Sequence, residues 1–189
     1  MSINRNILMP LHLLLIVIFS ITQVNANERQ EKHQQLNMKL SAFQKAFESL
    51  DTKQLQNIYH EDAVFISENR NDPIVVGKQN ILSRYQHFFD KITHKNARLE
   101  VDFRVVERNI YPQNVIDIGY YIVRFHPDKA SGDPISEFAG KFVNNYIEHK
   151  KDNWLLTVDS NTRSQAELYY NAKPIANLYY GRQFIQPTE

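Results

Sequence analysis

A chain of 189 residues is long enough for one substantial hydrophobic core and short for two. Its 22 Lys and Arg balance 21 Asp and Glu, which removes the electrostatic case for a nucleic acid or an anionic membrane surface as partner. With 42% hydrophobic residues and only 5 Gly and 7 Pro, disordered and fibrous classes are excluded, and many of the 10 Tyr and 11 Phe must be buried or line a cavity.

Residues 7–19 form an apolar run behind Arg5, followed by Ser20, Thr22 and Gln23 and then Val24-Asn25-Ala26. A basic start, an apolar middle and small residues at the end have the form of a secretory leader cleaved after Ala26. The run also falls short of the ~20 residues that a bilayer span needs. The expectation is a signal peptide over residues 1–26 and a periplasmic or secreted mature chain with no membrane contact after cleavage. The continuation through Ile21 and Val24 leaves an uncleaved anchor as the alternative. The chain has no cysteine, so disulfides and an acylated cysteine are excluded and the core alone must hold the exported fold.

Residues 27–35 are polar and are expected to fray or to form exposed leading turns. Leu36, Leu40, Phe43, Phe47 and Leu50 then recur at helical spacing and stop at Asp51, whose side chain can cap a second helix, with Gln54 three positions on. Leu55, Ile58 and Tyr59 continue as a short helix ending at Asp62, a residue suited to the turn, and residues 63–67 alternate as a strand. After a polar loop containing Pro73, the run Ile74-Val75-Val76 ends at Gly77. Ile81, Leu82, Tyr85, Phe88, Phe89 and Ile92 then resume the helical period.

The rest reads as antiparallel strands. Leu99, Val101, Phe103 and Val105 alternate with Glu100, Asp102 and Arg104, which predicts one buried and one wet face. Residues 113–126 are apolar on both faces and are expected to be covered on both. A loop over 127–134, a long strand over 135–150, a tight turn at 151–153 and a last strand over 154–161 complete the set. Residues 164–189 form a tail with two similar pieces, Leu168-Tyr169-Tyr170 and Leu178-Tyr179-Tyr180, whose tyrosines are expected to pack on the domain surface or to meet a partner.

The Leu50-Asp51 break, Tyr59-His60-Glu61-Asp62-Ala63-Val64-Phe65 and Val76-Gly77-Lys78-Gln79-Asn80-Ile81 come in an order that resembles the nuclear transport factor 2-like superfamily, shared with ketosteroid isomerases and polyketide cyclases. Gly119-Tyr120-Tyr121-Ile122-Val123, Gly140-Lys141-Phe142 and Asp152-Asn153-Trp154-Leu155-Leu156 extend the resemblance. It implies an α+β, cone-like fold over residues 27–163: three N-terminal helices packed on a strongly curved, mostly antiparallel sheet. It also implies a homodimer formed through the outer face of the sheet. In the isomerases a carboxylate base works with an oxyanion hole of a tyrosine and a protonated aspartic acid. The resemblance sets Phe43 at the tyrosine, Ser67 at the base, and Asn144 or Asn145 at the aspartic acid, so that constellation is not intact. Glu68, one residue on, is expected to face the other side of its strand.

Polar groups that can converge in a pocket between helices and sheet are Tyr59, Tyr85, Asp117, Tyr121, Asn145, Asp159 and Arg163. Asp117 breaks an apolar face, so it is either a base with a raised pKa or half of a cross-strand ion pair with Lys141 or Arg104. The seven His are scattered and no glycine-rich phosphate loop is present, so neither a metal nor a cofactor is expected. The function expected is an exported domain binding a small apolar or aromatic ligand, or a protein partner. The alternative is an isomerase, cyclase or dehydratase acting on a small hydrophobic substrate, with Asp117 or Asp159 as general base.

Overall fold

A computed structural model describes residues 11–151 and 153–185, the first fifteen of these by backbone alone. Residues 1–10 of the expected leader lie outside the described residues. The elements are α1 (Leu11–Glu48), α2 (Thr52–Leu55), β1 (Tyr59–Ile66), β2 (Val75–Val76), α3 (Lys78–His94), β3 (Arg98–Ile110) and β4 (Asn114–His126). A 3-10 turn (Lys129–Ser131), β5 (Ser136–Lys150), β6 (Asn153–Ser164) and α4 (Ala166–Asn171) follow. Among the described residues no helix is long and apolar enough to cross a membrane.

The six strands form one curved sheet in the order β2-β1-β6-β5-β4-β3. Only β1 and β6 run parallel; every other pair is antiparallel. Helices α1 and α3 close over the concave face. Phe43 stacks on Phe47 and Tyr85 on Phe89, the two pairs meet edge to face, Phe88 packs beside Phe47, and Phe43 meets Phe103 of the sheet edge to face. Such pairs add about 0.5–1.5 kcal/mol beyond the area they bury.

The junction at Asp51 forms as its sequence suggests. Leu50 takes a left-handed φ of 55° to end α1, and the Asp51 carboxylate accepts from the Lys53 amide at 2.9 Å and from Gln54 Nε2 at 3.0 Å. Three readings change. Residues 27–35 belong to α1, and His33 within them is buried. Tyr59 opens β1 instead of closing a helix, because the Ile58 carbonyl accepts from the Leu156 amide at 2.8 Å and seats Tyr59 beside Leu156 of β6. Asp62 accordingly sits inside β1, exposed to water.

The outer face of β3 is the largest change. Asp102 and Arg104, expected to be wet, are 0% and 5% exposed, because the tail covers them. Arg104 donates to the carbonyls of Tyr169, Tyr170 and Phe184, and its guanidinium lies between the rings of Tyr169 and Tyr180 at 4.1 and 4.5 Å. Asp102 accepts from the Tyr169 hydroxyl at 2.9 Å and the Gln183 amide at 3.0 Å. The Val105 amide donates to the Tyr179 carbonyl and the Gly181 amide to the Phe103 carbonyl, so the tail pairs with the free edge of β3 and protects it. Gly181 is required there: a Cβ would stand 1.6 Å from Asp102 Oδ1. On β4 both faces are covered only under the tail, at Ile122, while Ile116, Ile118 and Tyr120 stay half-exposed.

Candidate functional site

Between α1, α3 and the concave sheet lies a cavity of about 1120 Å3. Its position follows from the strand alternation. Phe138, Phe142, Asn144 and Tyr146 of β5 point inward, as do Asp159, Asn161 and Arg163 of β6 and Phe103, Tyr121 and Val123 beside them. Leu40, Phe43 and Phe47 of α1 and Arg84, Tyr85 and Phe88 of α3 form the opposite wall. Residues 67–72, beyond the end of β1, form part of the lining. Because β1 stops at Ile66, Ser67 and Glu68 both line the cavity, contrary to the expectation for Glu68; alternation constrains side chains only inside the ladder.

The floor is polar. Asp159 is buried and accepts from the Tyr59 hydroxyl and, on its other oxygen, from Asn161 Nδ2 at 2.6 Å. The Tyr85 hydroxyl stands 3.5 Å from the same carboxylate and 3.2 Å from Tyr59 Oη. Burial pushes the Asp159 carboxyl above its ordinary range against the pull of these hydrogen bonds. Burial, and then the Asp159 charge, pushes Tyr59 and Tyr85 well above the usual phenol range. These tyrosines therefore act as O–H donors at neutral pH. Next to Asp159, across the β5–β6 pair, lies Asn144: its Nδ2 donates to Tyr146 Oη at 3.2 Å, and its Oδ1 is buried without a partner.

The mouth carries charge. Arg163 lies 3.6 Å from Glu68 and stacks on Phe138 at 4.4 Å, and Arg84 pairs with Asp72. Of the seven candidates, Tyr85 and Asp159 line the floor, Tyr59 does not line the cavity but donates to Asp159 from behind it, and Tyr121 and Arg163 stand on the wall and at the mouth. Asn145 turns to the other face, where it accepts from Asn114 Nδ2 at 2.7 Å and donates to Thr157 Oγ1 at 2.6 Å. Asp117 does not line the cavity. Its two oxygens accept from Arg108 Nε and Nη2 at 2.6 and 2.8 Å, with both side chains fully buried. The cross-strand pair is thus made with Arg108, its register partner on β3, in place of Lys141 or Arg104.

Sequence reading missed Asn161 and named Asn145 for the pocket, where the structure puts Asn144. The signal for both was the inward phase of β5, which runs unbroken through Phe142, Asn144 and Tyr146, and of β6, which shifts at Thr157, the extra residue of a bulge. Phe43 and Ser67, the positions the resemblance matches to the isomerase tyrosine and base, both line the cavity. Chemically, the floor can accept or hold a proton at Asp159 and donate from the tyrosines. Among the described residues no three His, Cys, Asp or Glu side chains are grouped to hold a metal ion.

Solved structures with this architecture include an NTF2-like protein with a cystatin-like fold from Novosphingobium aromaticivorans. It matches with TM-score 0.62 and 9% identity, over 78% of this chain and 93% of that one. The fold is that of the nuclear transport factor 2-like superfamily. A candidate dehydratase of the NTF2-like family from Streptomyces avermitilis matches with TM-score 0.59 and 13% identity, over 70% of this chain and 96% of the other. A structure from Catenulispora acidiphila in complex with S-DNPA matches with TM-score 0.54 and 11% identity, over 75% and 94%. No protein-family model and no curated protein matches the sequence. The tail after β6 is laid on the outer face of the sheet, over Asp102, Arg104, Ile122 and Arg124.

Proposed function

We propose that this protein binds a small apolar or aromatic ligand in the cone cavity. One observation carries the reading: a cavity of about 1120 Å3, walled by aromatic side chains from two helices and the sheet, with a few polar groups gathered at its floor. Ligand sites have this size and make-up, with apolar walls for affinity and a few fixed polar groups for orientation. The similar structure from Catenulispora acidiphila, solved in complex with S-DNPA, is consistent with it. The test is calorimetric titration with naphthalene-sized aromatics, set against Val123→Trp, which fills the cavity. Saturable binding that disappears in the filled variant is expected; no binding at any soluble concentration, or equal binding to both proteins, refutes the reading.

A second reading is favoured by Asp159, a cavity carboxyl with a raised pKa between two tyrosine hydroxyls. It makes the protein an isomerase, cyclase or dehydratase with Asp159 as base, and the name of the similar Streptomyces avermitilis structure fits that class. Turnover that Asp159→Asn abolishes while ligand affinity survives separates it from simple binding.

Two further proposals concern the setting. Cleavage after Ala26 is supported by the leader pattern and by residues 26–31 being exposed just beyond the cleavage point; the intact mass of the protein from the exported fraction tests it. Homodimerisation through the open half of the outer sheet face is supported by Val143, 42% exposed, beside half-buried Ile116, Ile118 and Ile147. Native mass spectrometry of Val143→Glu tests it, a dimer that survives the charge being the adverse result.

A further inference from the structure

We infer that the cavity takes a hydroxylated aromatic acid, with the hydroxyl at the floor and the carboxylate at the mouth. This deepens the binding reading proposed above and rests on it.

One acceptor at the floor has no donor. Asn144 is 6% exposed and lines the cavity; its amide nitrogen donates to Tyr146, and its Oδ1 has no partner. A buried carbonyl left unpaired is destabilising, so a ligand group that donates to it gains more than an equal apolar group would. The neighbouring Asp159 already accepts on both oxygens, from Tyr59 and Asn161. A neutral donor suits this place best: a cation would lose its hydration there beside a carboxylate that is already satisfied, and a carboxylate would be repelled.

The mouth has the opposite bias. Tyr121, Gly140 and Arg163 stand on one rung across β4, β5 and β6. Gly140 lets the Tyr121 ring lie over the rung, since a Cβ there would stand 2.3 Å from the Tyr121 hydroxyl. That hydroxyl makes no hydrogen bond among the described residues, and burial keeps its proton on. Arg163 is steadied by the Phe138 ring at 4.4 Å and is held only loosely by Glu68, at 3.6 Å. Arg70 and Lys91 line the same mouth without an ion-pair partner among the described residues. An O–H and a guanidinium on one rung, with further cations around them, recognise a carboxylate. From Gly140 to Asn144 is four residues along β5, about 13 Å at strand rise. Side chains reaching inward from both ends leave room for a two-ring aromatic body, with the rings of Phe103 and Phe142 alongside.

The test is calorimetric affinity of the full chain for naphthol, naphthoate, a hydroxynaphthoate with its substituents on opposite rings, and the matching methoxynaphthoate, which cannot donate. Hydroxynaphthoate is expected to bind about tenfold or more tighter than naphthol and than methoxynaphthoate, each tenfold being one good polar contact. Arg163→Gln, at an exposed side chain, removes the carboxylate advantage, and Asn144→Leu removes the hydroxyl advantage. If Asn144→Leu does not fold, the comparison on the unaltered protein decides alone. Equal affinity for methoxynaphthoate and hydroxynaphthoate, or for naphthol and hydroxynaphthoate, overturns the inference and leaves the binding reading standing. If none of the four binds, both fall together.

Discussion

Arg108→Met probes whether Asp117 belongs to the scaffold or to the site. In the native protein Arg108 gives two hydrogen bonds to the Asp117 carboxylate, at 2.6 and 2.8 Å, and a third to the His33 carbonyl at 3.0 Å, with the pair fully buried. Methionine keeps most of the aliphatic stem and removes every donor. The carboxylate then stays dehydrated without a counter-charge, and α1 loses the hydrogen bond from Arg108 of β3 to the His33 carbonyl. Breaking a buried pair from one side costs about 3–5 kcal/mol. At about 2–4 °C of Tm per kcal/mol for a domain of this size, the midpoint falls by roughly 6–20 °C.

The double variant Arg108→Met/Asp117→Leu removes both charges and should recover most of that loss, since neither desolvated ion remains. Thermal and urea unfolding followed by the fluorescence of Trp154, which is buried, gives all the corners of the cycle. A single variant within about 1 kcal/mol of the native protein, the level of an exposed pair, refutes the reasoning; so does a double variant no more stable than Arg108→Met. Aromatic-ligand affinity per folded molecule should be unchanged throughout, because Asp117 lies outside the cavity.

Other outcomes follow from the same contacts. Gly181→Ala forces a Cβ to within 1.6 Å of Asp102 and should lift the tail from β3. Overpacking of this kind costs about 1–3 kcal/mol, and limited proteolysis should newly cut after residue 164 while the rest of the domain survives. Asp159→Asn removes a charge that raises Tyr59 and Tyr85. Their alkaline titration, read by phenolate absorbance, should move to lower pH but stay above that of a free phenol, because burial remains. His33 is buried, and burial together with the nearby Arg108 lowers its pKa. The unfolded chain then binds a proton more readily than the folded one, so the stability that depends on a neutral His33 is full above about pH 6.5 and is lost as pH falls from there through the lowered folded value. Chemical denaturation between neutral and mildly acidic pH should show the slope, and His33→Gln should flatten it.

Much of the fold was legible because periodicity reports which side of an element is apolar, and that depends only on neighbours in sequence. The helical stripe from Leu36 to Leu50, the Asp51 cap and the alternation from Leu99 to Val105 all became the elements expected. The boundary at Tyr59 was misread because Leu55, Ile58 and Tyr59 also fit a helix; pairing with β6, almost a hundred residues away, decided it. In the site, Tyr59, Tyr85 and Asp159 could be named as candidates, but nothing local shows that three distant elements bring them to one carboxylate.

The amino-acid order by itself settles the helix-then-strand plan, the inward-facing apolar set and the absence of disulfides, because each follows from residue type and spacing. Tertiary structure decides what becomes of the polar residues. Asp102 and Arg104 read as a wet stripe until Tyr169, Tyr180 and Phe184 cover them, and Asp117 reads equally as a base or as half of an ion pair until Arg108 encloses it. A charged side chain can be solvated, paired or held in a cavity. Only the partner brought to it in space selects among the three.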